Sequence, residues 1–231
     1  MPVVSKIPSR LVLLAQLIVL VLAASAWQAG AVEGSSAAAA APTKTILFFG
    51  DSLTAGYGLD EPAAESYPAR LGDKLTATYP SWKIVNAGLS GETTSGGLRR
   101  IDWVLRQPVN IFFLALGGND GLRGIPPAVT KSNLETIILK VRAKNPKAVV
   151  VLAGIKMPSS MGTYATDFAA VYPDISSADK TVNLLPFLLE GVGGVAAYNQ
   201  TDSIHPNVDG HRKVADHAWK MLEPLVKLHS E

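Results

Sequence analysis

The sequence predicts an α/β fold, a three-layer sandwich with helices on both faces of a parallel sheet. Short apolar runs with little alternation, as strands covered on both faces require, alternate with longer segments of helical period. Polar tetrads stand at or just beyond the ends of the first three runs, and in an open parallel sheet the carboxyl edge is where ligands bind. Strand alternating with helix also implies right-handed crossovers.

The elements follow in order. Residues 1–31 read as a secretory signal peptide, because Lys6 and Arg10 precede a run at 11–24 that is free of charge and has Gln16 as its one strongly polar side chain. That run is shorter than the roughly 20 residues a spanning helix needs. Ala24-Ser25-Ala26 and Ala29-Gly30-Ala31 both have the A-x-A form of a cleavage site, and no cysteine follows to carry a lipid anchor. Residues 32–43, with Gly34-Ser35-Ser36 and the alanine run at 37–41, hold too few large side chains to bury anything and read as a linker. One domain is expected at 44–228, followed by a tail at 229–231. Its strands are expected at 45–49, 82–86, 110–116, 148–153 and, shorter, 181–185. Helices are expected at 67–78, 94–106, 128–143, 164–172 and 208–228. In the third of these Leu134, Ile137, Ile138 and Val141 recur at helical spacing, and Pro206 stands just ahead of the last.

Charge and composition narrow the chemistry. The formal net charge is +2, but removing Lys6 and Arg10 from the 21 basic residues leaves as many bases as the 19 acids. A balanced domain is a poor partner for nucleic acid. The chain has no cysteine, which excludes disulfides, thiol catalysis and thiolate-bound metal. Among its four histidines, His211 and His217 lie six residues apart in the expected terminal helix, on different faces, which disfavours a two-histidine metal site. Catalysis is left to hydroxyl, imidazole and carboxylate.

Those three groups are present in one arrangement. Ser52, in Gly50-Asp51-Ser52-Leu53, directly follows the first expected strand, where a turn sets its hydroxyl beside unpaired backbone N–H donors. Asp202 and His205 are three residues apart, close enough for the carboxylate to reach Nδ1 while Nε2 stays free to take the serine proton. Gly91, in Ser90-Gly91-Glu92-Thr93, and Asn119, in Gly117-Gly118-Asn119-Asp120, supply a backbone N–H and a side-chain amide; with the Ser52 N–H they make three donors for an oxyanion hole. Any one of these blocks is as readily an ordinary turn or a helix cap. All four in this order point to acyl transfer.

The four blocks resemble those of the SGNH (GDSL-type) hydrolases, defined by Ser, Gly, Asn and His. The similarity extends to Ala55-Gly56-Tyr57-Gly58-Leu59, Asn86-Ala87-Gly88 and Gly121-Leu122-Arg123-Gly124, strings like those of the bacterial periplasmic branch of arylesterase, acyl-CoA thioesterase I and lysophospholipase. Coverage is about 45–225. The resemblance implies a flavodoxin-like α/β/α sandwich, Ser52 as nucleophile, His205 as base, Asp202 as its partner, and Gly91 with Asn119 in the oxyanion hole. It also accounts for the lack of a G-x-S-x-G elbow, since this family keeps its nucleophile near the N-terminus. One departure lies at 156–167, where relatives carry Pro, then Asn-Tyr-Gly and an arginine. Here the stretch reads Met157-Pro158-Ser159-Ser160-Met161-Gly162-Thr163-Tyr164, which bears on substrate preference because the region resembles a loop beside the acyl site.

The function expected is that of a periplasmic or secreted serine esterase acting on small-molecule esters, thioesters or lysophospholipids, with no cofactor, no metal, no nucleic acid and no membrane span after signal cleavage. The alternative on the same fold is O-deacetylation of a carbohydrate or cell-wall polymer; further off stands a binding protein that has kept the pocket. Asn199-Gln200-Thr201 is formally a glycosylation sequon, but a glycan there would crowd the Asp202–His205 loop.

Overall fold

The computed structural model describes residues 44–230. The expected signal segment and linker lie outside the described residues. Five strands, β1 (Lys44–Gly50), β2 (Trp82–Gly88), β3 (Ile111–Ala115), β4 (Val149–Ala153) and β5 (Val182–Leu185), form one parallel sheet in the order β2-β1-β3-β4-β5. Among the described residues eight α-helices accompany them: α1 (Ser52–Ala55), α2 (Pro62–Glu65), α3 (Tyr67–Thr78), α4 (Thr94–Val104), α5 (Gly118–Leu122), α6 (Pro127–Lys144), α7 (Thr163–Ala178) and α8 (Val208–Leu228).

The central strands are apolar because both their faces are covered. Phe48 and Phe113, neighbours in register across β1 and β3, stack 4.7 Å apart, and Phe48 also meets Tyr67 of α3 edge-on. Phe49 and Phe112 pair on the opposite face, under Arg100 of α4. Helices α3 and α8 pack together, as do α4 with α6 and α6 with α7. This is the sandwich expected, with the long helices in two layers.

Register places the site. Gly50 pairs with Gly88 on one side and Ala115 on the other, so β1, β2 and β3 end level. The chain runs from β1 outward to β2 and then returns across β1 to β3, which makes β1/β3 the point where the strand order reverses and a crevice opens. Ser52 leaves β1 and Asn119 leaves β3 on the two sides of that crevice.

One helix runs well past its expected end, and short helices appear where none was expected. The helix expected at 164–172 is α7, which continues through Pro173 to Ala178. Proline in a helix forfeits one hydrogen bond, and here Ile175, buried at the next inward position beside Val171 and Tyr172, offsets that loss. The short helices α1 and α5 are single turns with no periodicity for a sequence to display.

Candidate active site

Helix α1 begins immediately after β1. Asp51 caps it, its carboxyl accepting a hydrogen bond from the Leu53 amide at 3.0 Å, and Ser52 takes the first helical position. Asp51 is 1 % exposed. Burial pushes its carboxyl up to about 7 against the stabilising Leu53 amide, with the Asp120 and Glu92 carboxylates adding to the rise.

Ser52, His205 and Asp202 meet, although 153 residues separate the first two. Ser52 Oγ lies 2.9 Å from His205 Nε2, and His205 Nδ1 lies 2.6 Å from Asp202 Oδ2. The other Asp202 oxygen accepts hydrogen bonds from the backbone amides of Ile204 (2.9 Å) and His205 (3.0 Å). Burial opposes ionisation of Asp202, but the amides of His205 and Ile204 and the imidazole outweigh it and hold the carboxyl down at about 2. An ionised Asp202 assigns the imidazole proton to Nδ1, leaving the Nε2 lone pair to receive the Ser52 O–H. Ser203, between them, has φ of 60°, and this left-handed residue turns the loop so that Asp202 reaches both following amides.

The two remaining predicted residues stand beside this chain of bonds. Gly91 has φ of 77°, and its carbonyl accepts from Arg123 Nη2 at 3.0 Å. Asn119, near the start of α5, donates from Nδ2 to the Glu92 carbonyl at 3.1 Å. The Ser52 and Gly91 amide N–H groups have no acceptor among the described residues, and Asn119 retains its second amide hydrogen. Behind them Asp120 is fully buried and accepts from the Thr94 amide (2.8 Å), the Thr94 hydroxyl (2.5 Å) and the Thr130 hydroxyl (3.3 Å), which fastens α5 to α4 and α6.

Ser52, Asn119 and His205 open onto a cavity of about 470 Å³ whose apolar walls include Leu122, Ile155, Met157, Phe187, Leu189 and Ile204. Gly91 and Asp202 are not among its lining residues. The departing segment 156–158 lines it, with Lys156 Nζ 4.8 Å over the Phe187 ring. A hydroxyl bonded to an imidazole at the floor of an apolar cavity is suited to attack the carbonyl of a bound acyl group.

Sequence reasoning missed a neighbour of the imidazole and a residue that bonds to that neighbour's backbone. Tyr57 sets its ring 4.8 Å from His205, and Gln200 bonds the Tyr57 carbonyl. Tyr57 lay in the string Ala55-Gly56-Tyr57-Gly58-Leu59 without a role, and Gln200 was hidden in the sequon. The sequon asparagine itself is buried, with Nδ2 bonded to the Val192 and Val195 carbonyls.

Comparisons with known proteins identify the relatives of the chain. "Esterase TesA" of Pseudomonas aeruginosa is 38 % identical over 188 residues, covering 80 % of this chain and 91 % of its own. "Thioesterase 1/protease 1/lysophospholipase L1" of Escherichia coli is 41 % identical over 189 residues, covering 81 % of this chain and 87 % of its own. A crystal structure of TesA superposes with a TM-score of 0.74 at 38 % identity, over 79 % of this chain and 99 % of the other. The profile of the GDSL-like Lipase/Acylhydrolase family matches residues 48–213. With its five-stranded parallel sheet and that match across most of its length, the chain belongs to the GDSL-like lipase/acylhydrolase family, hydrolases acting on ester bonds.

Proposed function

We propose that this ester hydrolase works through a Ser52–His205–Asp202 triad and an acyl-enzyme, on carboxylic esters or thioesters with an apolar acyl group, lysophospholipids among them. The observation that carries the reading is the chain of contacts from Ser52 Oγ through both imidazole nitrogens to Asp202, at 2.9 and 2.6 Å, on the floor of an apolar cavity. Ser52 Oγ attacks the carbonyl carbon and its proton passes to His205 Nε2. The oxyanion accepts hydrogen bonds from the Ser52 and Gly91 N–H groups and from Asn119 Nδ2. Collapse expels the alcohol or thiol, which takes the proton from His205. Water then attacks the acyl-enzyme with His205 as base, releasing the acid and restoring Ser52.

The apolar walls support an acyl chain over acetylated sugar, whose hydroxyls would find few partners there. Export is part of the proposal and rests on residues 1–31, with Lys6 and Arg10 ahead of the apolar run. No helix among the described residues is long and apolar enough to cross a membrane.

The test is hydrolysis of p-nitrophenyl esters from acetate to palmitate by the secreted protein, its first residue identified by N-terminal sequencing, beside Ser52→Ala. The variant is expected to lose several orders of magnitude in kcat, and the parent protein to show an optimum beyond acetate and a new N-terminus at Trp27 or Val32. Near-normal turnover by a folded Ser52→Ala overturns the mechanism; retention of the protein in the cytoplasm with Met1 intact overturns export.

A further inference from the structure

The loop that carries His205 is held to the segment after Ser52 by one amide. Gln200 Nε2 donates one hydrogen to the Tyr57 carbonyl at 2.7 Å and the other to the Pro206 carbonyl at 3.0 Å. The Gln200 backbone N–H donates to the His205 carbonyl at 2.8 Å, and its own carbonyl accepts from Ser203 N–H at 2.9 Å. Asn199 and Pro206 close the loop with an antiparallel bridge. Every donor of Gln200 is therefore spent on tying the ends of the Asp202–His205 loop together or on joining that loop to Tyr57. Tyr57 in turn lays its ring 4.8 Å from the imidazole, although the residue is 53 % exposed.

We propose that Gln200 is a positioning residue for the esterase reaction: its side-chain amide fixes the His205 loop against the Tyr57 segment and so sets the distance from His205 Nε2 to Ser52 Oγ. The inference rests on the triad reading above. Ser52 is anchored by β1 and the Asp51 cap, whereas His205 stands on a loop with no strand or helix of its own, so the cross-link between the segments is what makes their separation reproducible. A displacement of about 1 Å between nucleophile and base is enough to cost up to a hundredfold in rate. The substrate cavity does not include Gln200 or Tyr57, so binding should survive the loss of the cross-link.

The experiment compares Gln200→Met and Gln200→Glu with the parent protein, using a soluble p-nitrophenyl ester and counting active sites with a phosphonate that reacts with the serine. Methionine keeps the length without donors. Glutamate keeps the shape but turns an acceptor toward two carbonyl oxygens, so it should be the worse of the two. The expected result is a fall in kcat per titrated site of roughly ten- to a hundredfold, with KM within about twofold and the larger loss in Gln200→Glu. A purely structural role would reduce the number of titrated sites and leave kcat per site unchanged, and that result overturns the inference. So does a loss confined to KM. Gln200→Met serves if Gln200→Glu does not fold. Ser52→Ala in the same assay separates the two claims: an active Ser52→Ala defeats the triad reading itself, whereas an inactive Ser52→Ala beside fully active Gln200 variants defeats only the role of Gln200.

Discussion

At the level of single residues, the geometry of the proposed base depends on Ser203. Its φ of 60° is a left-handed conformation that disfavours side chains with a branched Cβ, and it lets the Asp202 carboxylate accept from two successive amides while holding Nδ1. Glycine adopts that conformation without the steric penalty, although it loses more chain entropy on folding. Ser203→Gly should therefore keep kcat and change stability by less than about 1 kcal/mol. Ser203→Val should cost about 1–2 kcal/mol and lower kcat with it, as the turn relaxes and Asp202 loses an amide. Urea melts and steady-state kinetics on the two variants check this; equal kcat in both would mean that the left-handed turn does not hold the pair. The spacing Asp202-x-x-His205 was legible in the sequence, but the turn between them was not, because serine carries no signal for positive φ. Gln200 was illegible for a related reason: its partners are backbone carbonyls, which any sequence presents.

At the level of elements, the site depends on how closely α1 lies against the end of β2. A Cβ at Gly88 would stand 2.3 Å from the Ala55 amide nitrogen and 2.7 Å from the Thr54 carbonyl carbon, both backbone atoms of the helix that carries Ser52. No side-chain rotation relieves such a contact, so Gly88→Ala must move α1 or the strand. The expected outcome is a loss of stability on the order of 1–3 kcal/mol, as for overpacking, and a drop in kcat larger than the lost folded fraction explains, measured by thermal melting and by turnover per titrated site. A variant with parental turnover and melting temperature would show that α1 is free to shift without consequence. The strands and the long helices were legible because burial on both sheet faces writes itself into runs such as Ile111-Phe112-Phe113-Leu114. The single-turn helices were not, and neither was the passage of α7 through Pro173, since tertiary burial of Ile175 decided what local propensity opposed.

Over the whole molecule, buried groups with opposed titrations set how stability depends on pH. Asp51 is raised from 3.8 to about 7, so between those values the folded state holds a proton that the unfolded chain has released, and stability falls as pH rises through this window. His211, 1 % exposed and accepting the Tyr67 amide at Nδ1, is lowered from 6.5 to about 4 by burial and by the nearby His205. There the unfolded chain binds the extra proton, so stability rises with pH from about 4 to 6.5. The two slopes oppose one another over most of the same range, and the wild type should vary little across it. Asp202 and Asp179, both held at about 2, add a loss of stability only below pH 3.8. Asparagine at position 51 keeps the oxygen that accepts the Leu53 amide but has no proton to release. Asp51→Asn should accordingly unmask the His211 slope, with a melting temperature that climbs from pH 4 to 6.5, and should exceed the wild type in stability above pH 7 by an amount on the order of a few kcal/mol. Thermal melts in matched buffers from pH 4 to 8 decide it: a variant whose profile runs parallel to that of the wild type would mean that Asp51 is ionised in the fold throughout, and that its negative charge stands next to Ser52 at every working pH.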